Sequence, residues 1–429
     1  MPPNLRFGNR QAVQILRRAF SSNQKIQEHD VLLLRQHGTK YPKWHLTAPL
    51  RSSSTVKLSY GASLEAADLI GKNILDVVTD SKGNRVVLQE PTLSSYIVNS
   101  DGRLATPIYP HDANTIVSLL DLHPSPPGED DCNDEQGDPA PVFEIFEAGT
   151  GMGSLTLHLA RAIHAANPPL PASLRHDICE ATIRRPDDPS PTRLNLDPAA
   201  EEAFDQYKAS RRAVLHTLDN KPKHSQAAYK LIRNFRRAQY LPSIDFHVGS
   251  IDEYLSERLA KSGGRPFLSR AILDLPSAQD NAGRVVEALL PNGILVVFKP
   301  SISQIGEFQK WYTVNKIPLR LEKVLELPVS TTSDGVHDAG GGRHWDVKTV
   351  SPRRSLQGEE GKLVQVMRPK VGERIAGGGF VAILRRWPNA DEASANAVEE
   401  PSQGDVDAVA DEGAVDLAAA DAKADEQPS

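Results

Sequence analysis

Cysteines, aromatic residues and long hydrophobic runs are all scarce in this 429-residue sequence. The two cysteines, Cys132 and Cys179, lie in polar, loop-like stretches, so neither a disulfide framework nor a metal site is indicated, and a reducing compartment fits. No apolar stretch approaches the roughly 18 residues of a membrane-spanning helix. With 39% hydrophobic and 24% charged residues, the composition is that of a globular protein with an ample core, and we expect no membrane partner.

The chain has a net charge of −6, but most of its length has no excess of acidic over basic residues. Residues 388–429 contain twelve acidic residues against the single Lys423, so residues 1–387 carry a net charge of +5. Six more acidic residues crowd the Pro/Gly-flanked loop at 124–141. The remaining parts are therefore more basic than the total suggests, which permits a nucleic-acid partner without proving one.

The most informative stretch is residues 142–163, VFEIFEAGTGMGSLTLHLARAI. Its first five residues have the composition of a strand, and its last nine carry apolar residues at helical spacing. Between them, Gly149, Gly151 and Gly153 allow a tight turn that brings backbone N–H groups and a helix N-terminus against a ligand. The stretch predicts a nucleotide-type cradle; a glycine-rich turn without a ligand is the alternative.

Two acidic residues end later predicted strands. Ala213–Asp219 is predicted to be a strand whose last carboxylate can bind both ribose hydroxyls of an adenosyl group. The hydrophobic strand from Arg270 ends in Asp274. Because the carboxyl ends of parallel strands share the edge where open α/β sheets bind ligands, both aspartates should meet the glycine loop there. The alternatives are a solvated strand end for Asp219 and an aspartate that caps the next turn for Asp274.

The two ends of the chain differ from its middle. Residues 1–27 contain basic residues, no acid and apolar residues at helical spacing, which predicts a mitochondrial transit peptide cleaved near residue 20. A disordered basic tail that contacts RNA is the alternative. Residues 388–429 form an Ala/Asp/Glu-rich tail that we expect to be disordered.

The middle of the chain predicts two folded parts. Short strands broken by turns indicate a small β-rich N-terminal domain at 28–105, in which Ser95–Val98 is predicted to be a strand. Strands that alternate with helices indicate a second domain at 106–387, interrupted by insertions at 124–141 and 166–210. We expect Asp112 to cap a helix near the start of this domain.

Two further patterns bear on the second domain. Val364–Met367 and Phe380–Leu384 are predicted to close its sheet as an antiparallel pair. The helix after Asp219 carries five cations that either follow phosphates or form a solvated face. They are Lys223, Lys230, Arg233, Arg236 and Arg237.

Five segments resemble the catalytic-subunit family of tRNA (adenine(58)-N(1))-methyltransferases. They are Pro91–Tyr96, Ile108–Asp112, Glu147–Thr156, Asp274–Pro276 and Arg343–Val347. The glycine motif alone indicates only a methyltransferase, whereas the Tyr-Pro-x-Asp and Asp-Leu-Pro elements in this order point to the family. The resemblance covers about residues 30–387. Two places depart from it: Ser277–Gln279 follow Asp-Leu-Pro instead of a Pro-Trp element, and Gly249 stands where the family has an acid.

The resemblance implies a Rossmann-like class I methyltransferase fold, which is an α/β sheet with parallel strands and a C-terminal antiparallel strand, beside the small β-rich domain. It implies S-adenosylmethionine as the cofactor and N1 of adenine in tRNA as the acceptor, with no metal. Asp274 would stabilise the charge that develops on the purine, and Tyr109 would stack on the base unless it serves only packing. The implied cofactor-binding residues are Glu147, Gly149, Gly151, Gly153, Ser154, Leu155, Asp219 and Ser250.

For the partners and the location, the resemblance and the basic N-terminus imply tRNA, a homo-oligomer such as a tetramer or a hetero-oligomer with a non-catalytic subunit, and the mitochondrial matrix. The nucleus is the alternative location. Two alternative functions remain at this point: a catalytically silent RNA-binding partner subunit, and a methyltransferase that acts on a substrate other than tRNA.

Overall fold

The structure of the protein is a computed structural model. It describes residues 25–39, 42–100, 108–126, 141–184, 191–332, 345–350, 363–369 and 374–388. The predictions for the transit peptide up to residue 24, for most of the acidic loop at 124–141 and for the acidic tail from residue 389 lie outside this part of the chain. Within the described ranges, no helix has both the length and the apolar character needed to cross a bilayer.

A seven-stranded sheet forms the centre of the described chain. Its spatial order is β11-β10-β7-β12-β13-β17-β14, in which the first five strands are parallel, β17 is antiparallel to β13, and β14 is antiparallel to β17. The strands are β7 (Phe143–Ala148), β10 (Ala213–Asp219), β11 (Ile244–Val248), β12 (Leu268–Leu273), β13 (Leu289–Lys299), β14 (Leu319–Thr332) and β17 (Arg374–Arg386). β14 therefore runs in the same direction as the first five strands, and β17 is the one antiparallel strand of this sheet, so the predicted fold class is confirmed.

Helices cover both faces of this sheet. Every residue of β10 is buried, as expected for a strand that is covered on both sides. Successive side chains of β7 enter opposite cores, with Ile145 in one hydrophobic cluster and Phe146 in the other. The helices of this part are α3 (Pro110–Leu119), α4 (Ser154–Ile163), α5 (Ala172–Glu180), α6 (Pro198–Ala209), α7 (Pro222–Asn234), α8 (Ile251–Lys261), α9 (Gln279–Ala288) and α10 (Ile302–Val314).

The strand order places a switch point at β7. The chain passes from β7 to β10 and β11 on one side and then to β12 and β13 on the other. A crevice opens at the carboxyl edge of the strands where the order reverses, and ligands of open α/β sheets bind there. The loops that follow β7 and β12 both leave the sheet at this point.

The N-terminal part has its own antiparallel sheet, in the order β2-β1-β6-β5, and a separate β3-β4 hairpin. Its elements are β1 (Leu33–Gln36), β2 (Trp44–Leu46), β3 (Thr55–Lys57), β4 (Ser63–Glu65), α1 (Ala66–Leu69), β5 (Val77–Thr79), β6 (Arg85–Gln89) and α2 (Leu93–Asn99). The predicted strand at Ser95–Val98 is wrong, because these residues lie in α2. The Thr92 hydroxyl accepts the Ser95 N–H at 3.1 Å and caps that helix.

Three further predictions need correction. Asp112 does not cap α3: Tyr109 occupies the N-cap position, and Asp112 lies in the first turn with 2% of its surface exposed. Cys179 is buried in α5, not in a loop. The predicted pairing of Val364–Met367 with Phe380–Leu384 is wrong. The second segment lies in β17, which pairs with β13 and β14, whereas β16 (Val364–Pro369) pairs with β15 (Trp345–Val350) in a separate two-stranded sheet.

The insertion at 166–210 is folded in its described residues, 166–184 and 191–210. It contains α5, the hairpin of β8 (Thr182–Arg184) with β9 (Arg193–Asn195), and α6. Asn167 anchors its start, since its side-chain amide donates to the Ala213 carbonyl and its oxygen accepts the Ala213 N–H, both at 2.9 Å. The insertion is therefore tied to the beginning of β10.

Tyr96 links α2 to the large domain and provides a test of that contact. Its buried hydroxyl donates to the Leu231 carbonyl at 2.7 Å. We expect Tyr96→Phe to lower the free energy of unfolding by about 1–2 kcal/mol, because the buried carbonyl loses its donor. Tyr60→Phe, which removes a 2.9 Å bond to Asp80 at a half-buried site, is the control and should cost less. Urea unfolding measures the free energy of unfolding of both variants. Equal losses would contradict a stabilising role for the bond from Tyr96 to Leu231.

Candidate active site

The glycine loop after β7 approaches the end of β12 very closely. Gly149, Gly151 and Gly153 have φ angles of 100°, 52° and 86°, values that favour glycine. A Cβ on Gly149 would lie 2.3 Å from the main-chain oxygen of Asp274, and a Cβ on Gly153 would lie 2.8 Å from the Cβ of Ala228. The first contact brings two predicted site residues together, and the second lets α4 pack on α7.

Asp219 fixes the shape of the glycine loop. Its carboxylate accepts the Gly151 N–H and the Lys221 N–H, each at 2.9 Å, and lies 3.2 Å from Nδ1 of His224. Only 7% of the residue is exposed, so the interpretation as a solvated strand end is wrong. The structure places Asp219 at the predicted edge, beside the predicted loop.

Glu147 lies beneath the loop and not in the crevice. The residue is 1% exposed, and one carboxylate oxygen accepts the hydroxyls of Thr156 and Thr217, each at 2.7 Å. The Thr217 hydroxyl is in turn 2.7 Å from that of Thr150 in the loop. Burial raises the pKa of Glu147 to about 8, and the neighbouring aspartates add to this. Glu147 therefore supports the loop from below, and its contact with the cofactor stays a prediction.

Asp274 stands at the same edge, half-buried. Its N–H donates to the Ala148 carbonyl at 3.0 Å, immediately before the glycine loop. Burial raises the pKa of its carboxyl group to about 6, the Lys299 ammonium acts in the opposite direction, and the Asp219 carboxylate raises the pKa further. The sequence prediction that Asp219, Asp274 and the glycines converge is thus met by the geometry.

Four other predicted residues occupy different positions. The Ser154 hydroxyl donates to the Ile108 carbonyl at 2.5 Å, and the Leu155 side chain packs in the core, so both can offer a ligand only their main-chain N–H groups. Ser250 is exposed at the carboxyl end of β11 and caps α8 through the Glu253 N–H at 3.4 Å. Tyr109 is half-buried at the start of α3. The bond to Ile108 brings this start next to the loop.

Several residues that shape this site were not predicted. Lys299 at the end of β13 has 1% of its surface exposed and donates to the carbonyls of Leu275 and Pro276. Thr150 and Thr217 form the polar floor, and His224 reaches Asp219 from α7. A lysine that directly follows a run of apolar strand residues was a usable signal for Lys299. The threonines carry no pattern that a sequence would reveal.

The site fits S-adenosylmethionine in its described residues. The first turn of α4 presents main-chain N–H groups without partners inside the helix, which suits the carboxylate of the methionine part. The absence of Cβ atoms at the three glycines lets a ligand approach the backbone, and Asp219 supplies a carboxylate at the next strand end. Asp274 completes the rim on the other side of the loop.

The comparisons with known proteins agree with this geometry. No family model matches the chain. Two curated proteins, the tRNA (adenine(58)-N(1))-methyltransferases TrmI of two Thermus thermophilus strains, are each 25% identical over 311 residues, which span 72% of this chain and 81% of theirs. Over most of its length, the chain is thus similar in sequence to these two curated proteins. The predicted resemblance is confirmed, whereas a mitochondrial type stays a prediction.

A solved structure supports the fold class. The S-adenosylmethionine-dependent O-methyltransferase of Thermotoga maritima superposes with a TM-score of 0.51 at 14% identity, and the match covers 85% of this chain and 96% of that one. At this identity the likeness concerns the fold alone. The predicted Rossmann-like class I methyltransferase fold is confirmed.

The cationic helix of the methyltransferase serves mainly internal contacts. Arg233 donates to the carbonyls of Ile178 and Cys179 at the end of α5, at 3.1 and 2.7 Å. Arg236 pairs with Glu90 at 3.2 Å, and Arg237 pairs with Asp30 at 3.4 Å. Lys223 and Lys230 are exposed. Three of the five cations therefore connect α7 and the residues after it to the insertion and to the N-terminal part. Fewer positive charges are left to bind phosphates than the sequence suggested.

One group of possible metal ligands occurs among the described residues, away from the glycine loop. Ligand atoms of His29, His176 and Glu180 lie within 4.8 Å of one another. The His29 and Glu180 side chains are 2.7 Å apart, and Arg51 approaches the other Glu180 oxygen at 3.6 Å. Through His29, Arg51 and Glu180, these contacts join the N-terminal part to α5.

The contact between Gly149 and Asp274 can be tested with two alanine variants. Gly149→Ala should destabilise the methyltransferase by several kcal/mol and abolish binding of S-adenosylmethionine, because its Cβ would overlap the Asp274 oxygen. Gly263→Ala is the matched control: Gly263 also has a left-handed φ of 68°, but its added Cβ meets nothing within 4 Å. That variant should lose about 1 kcal/mol and bind normally. Thermal unfolding and calorimetry measure both effects; similar behaviour of the two variants would refute the contact.

A second prediction concerns the pH dependence caused by Glu147. Because its pKa is raised from 4.5 in the unfolded chain to about 8 in the fold, its stabilising contribution is complete below pH 4.5 and disappears as the pH rises through about 8. Glu147→Gln keeps an oxygen that can accept both hydroxyls and cannot ionise. Between pH 6 and pH 8, the variant should lose less stability than the wild type in urea unfolding. Parallel curves for the two proteins would show that Glu147 is already ionised in this range.

Proposed function

We propose that this protein transfers a methyl group from S-adenosylmethionine to N1 of an adenine in tRNA, at position 58 of the T-loop. S-adenosylmethionine is the donor of this methyltransferase fold, as in the Thermotoga neighbour. The acceptor is proposed from the curated Thermus relatives, which are tRNA (adenine(58)-N(1))-methyltransferases. The single observation that carries the proposal is the placement of Asp274, whose main chain contacts Gly149 of the glycine loop and Ala148 directly before it.

The chemistry of N1 explains why such a carboxylate is needed. N1 lies on the Watson–Crick edge of adenine and is blocked in a base pair, so the nucleotide must be turned out into a pocket. The cofactor supplies a methyl group bound to a positively charged sulfur. When N1 takes this methyl group, the electron pair of the carbon–sulfur bond stays on sulfur and the positive charge moves to the purine. The ionised Asp274 carboxylate stabilises that charge and can accept the N6 proton.

Asp274 must be ionised for this role. Burial raises the pKa of its carboxyl group to about 6, so the group is mainly ionised at neutral pH and becomes protonated below that value. Methyl transfer should therefore decline as the pH falls through this range. Tyr109, at the start of α3 and next to the loop, is the aromatic residue proposed to stack on the turned-out base.

The partner and the location belong to the same proposal. tRNA is the nucleic-acid partner, the oligomer is a tetramer of this chain or a complex with a non-catalytic subunit, and the protein acts in the mitochondrial matrix. The basic, acid-free segment at 1–27 supports the last point. A silent partner subunit is disfavoured because Asp219, Gly151 and Asp274 form an assembled cradle, which such a subunit does not need.

The proposal is tested by separating binding from chemistry. Asp274→Asn should lower the rate of N1-methyladenosine formation by about a hundredfold or more while the variant still binds S-adenosylmethionine, because only the charge at the purine is lost. Asp219→Ala should instead lose cofactor affinity, because the glycine loop loses its anchor. Calorimetry measures binding, and mass spectrometry of tRNA nucleosides measures methylation.

The substrate is tested with two transcripts. A tRNA with adenine at position 58 should be methylated, and the same tRNA with guanine there should not. Failure of the wild type to bind S-adenosylmethionine would favour the silent-partner function. Binding without methylation of any tRNA would favour another acceptor, and full activity of Asp274→Asn would refute the mechanism.

A further inference from the structure

Lys299 is buried far more deeply than a lysine normally is. It is the last residue of β13, and 1% of its surface is exposed. An ammonium group that leaves water loses hydration free energy, so lysine is seldom fully buried without partners. Here Nζ donates to the main-chain oxygens of Leu275 at 2.8 Å and Pro276 at 2.6 Å. The charge is therefore held in the protein by two carbonyl dipoles.

Both carbonyls belong to the turn that follows Asp274. On the side of β7, the Asp274 N–H is fixed by the Ala148 carbonyl at 3.0 Å. On the side of β13, the next two residues are fixed by Lys299. Asp274 thus lies between two anchored points, and removal of either anchor would free the turn that sets the direction of its carboxylate.

The charges around Asp274 give Lys299 a second effect. Two other acidic residues interact with the Asp274 charge. Besides burial, Asp219 on β10 raises the pKa of Asp274, and Asp274 raises the pKa of Glu147 on β7. Burial and Asp219 raise the pKa of Asp274, whereas Lys299 lowers it. Lys299 itself is faced by Asp280 of α9 and Glu307 of α10 as well as by Asp274. Its ammonium group opposes the protonation of Asp274 that burial and Asp219 favour.

We propose that Lys299 is a positioning residue for methyl transfer, whose buried ammonium group holds the turn at Asp274–Pro276 and thereby the Asp274 carboxyl group that serves the incoming adenine. The inference rests on the proposed function for the identity of the acceptor. Lys299 donates to the turn and transfers no proton to the substrate. A lysine that only stabilises the fold would leave the titration of Asp274 unchanged, and this difference makes the role testable.

The chain offers a matched control in Arg270. It lies in the amino-terminal half of β12, is 9% exposed, and also donates to main-chain oxygens, those of Leu120 at 2.6 Å and Asp121 at 3.0 Å. Lys299→Met and Arg270→Met therefore each remove a buried cation that binds carbonyls. Only the first removes it beside Asp274.

The first measurement follows the Asp274 carboxyl group directly. Carbon-13 NMR of full-length protein with labelled aspartate records its titration, and Asp274→Asn identifies its signal. Lys299→Met should raise the midpoint by about one pH unit or more, and Arg270→Met should leave it unchanged. Lys299→Gln, which removes the charge but keeps a donor, gives the same test if the methionine variant does not fold. An unchanged midpoint in a folded Lys299 variant would overturn the inference.

The second measurement is the pH dependence of tRNA methylation. The acid limb of the rate profile should move to higher pH in Lys299→Met, so that its activity relative to the wild type is about fivefold or more lower at pH 6 than at pH 8.5. Arg270→Met should lose activity to the same extent at both pH values. If the wild type forms no N1-methyladenosine, the proposed function fails, whereas the NMR titration still decides the role of Lys299.

Discussion

The close approach of the glycine loop to the end of β12 is the constraint on which the site depends. The main-chain oxygen of Asp274 lies where a side chain at position 149 would begin. Two strands that are neighbours in the sheet can bring their loops this close only if one loop has no Cβ at the contact. The glycine loop and Asp274, the residue proposed to act on the acceptor, are therefore fixed relative to each other by the backbone.

Charge at this edge is distributed unevenly among three carboxyl groups. Glu147 is buried under the loop and has a pKa raised to about 8, so it is largely neutral at pH 7. Asp219 keeps its carboxylate among N–H donors, two of them from the main chain. Asp274 has the Lys299 ammonium nearby. The raised pKa of Glu147, the N–H donors at Asp219 and the ammonium group near Asp274 each reduce the repulsion between these carboxyl groups. The crevice therefore does not hold three unpaired negative charges.

The parts of the fold that depend on strong local patterns were predictable from the sequence. The β7 strand, the glycine turn and α4 follow from composition and spacing, and the convergence of Asp219 and Asp274 follows from the geometry of parallel strands. The strand predicted at Ser95–Val98 failed because the cap at Thr92 outweighs β-branched composition there. The predicted pairing of Val364–Met367 with Phe380–Leu384 failed because the pairing of distant segments leaves no local trace in the sequence.

Roles of side chains were harder to predict than positions. Glu147 and Ser154 stand at the predicted edge, but their polar atoms face the protein, toward two threonines and the Ile108 carbonyl. Arg233 faces the insertion and donates to carbonyls at the end of α5, whereas Arg236 and Arg237 pair with acidic residues of the N-terminal part. A sequence gives the residue type and its place on an element, whereas the direction of its side chain depends on neighbours far along the chain.

The hydrogen bond from Ser154 to the Ile108 carbonyl has a consequence for the order in which ligands associate. Ser154 is the first residue of α4, whose N-terminus faces the cradle, and Ile108 directly precedes Tyr109. If a methyl donor displaces α4, this bond would carry the displacement to the residue before the ring proposed to stack on the base. Binding of the two ligands would then be coupled, and because coupling is reciprocal, the bound nucleotide would change the affinity for the donor by the same factor.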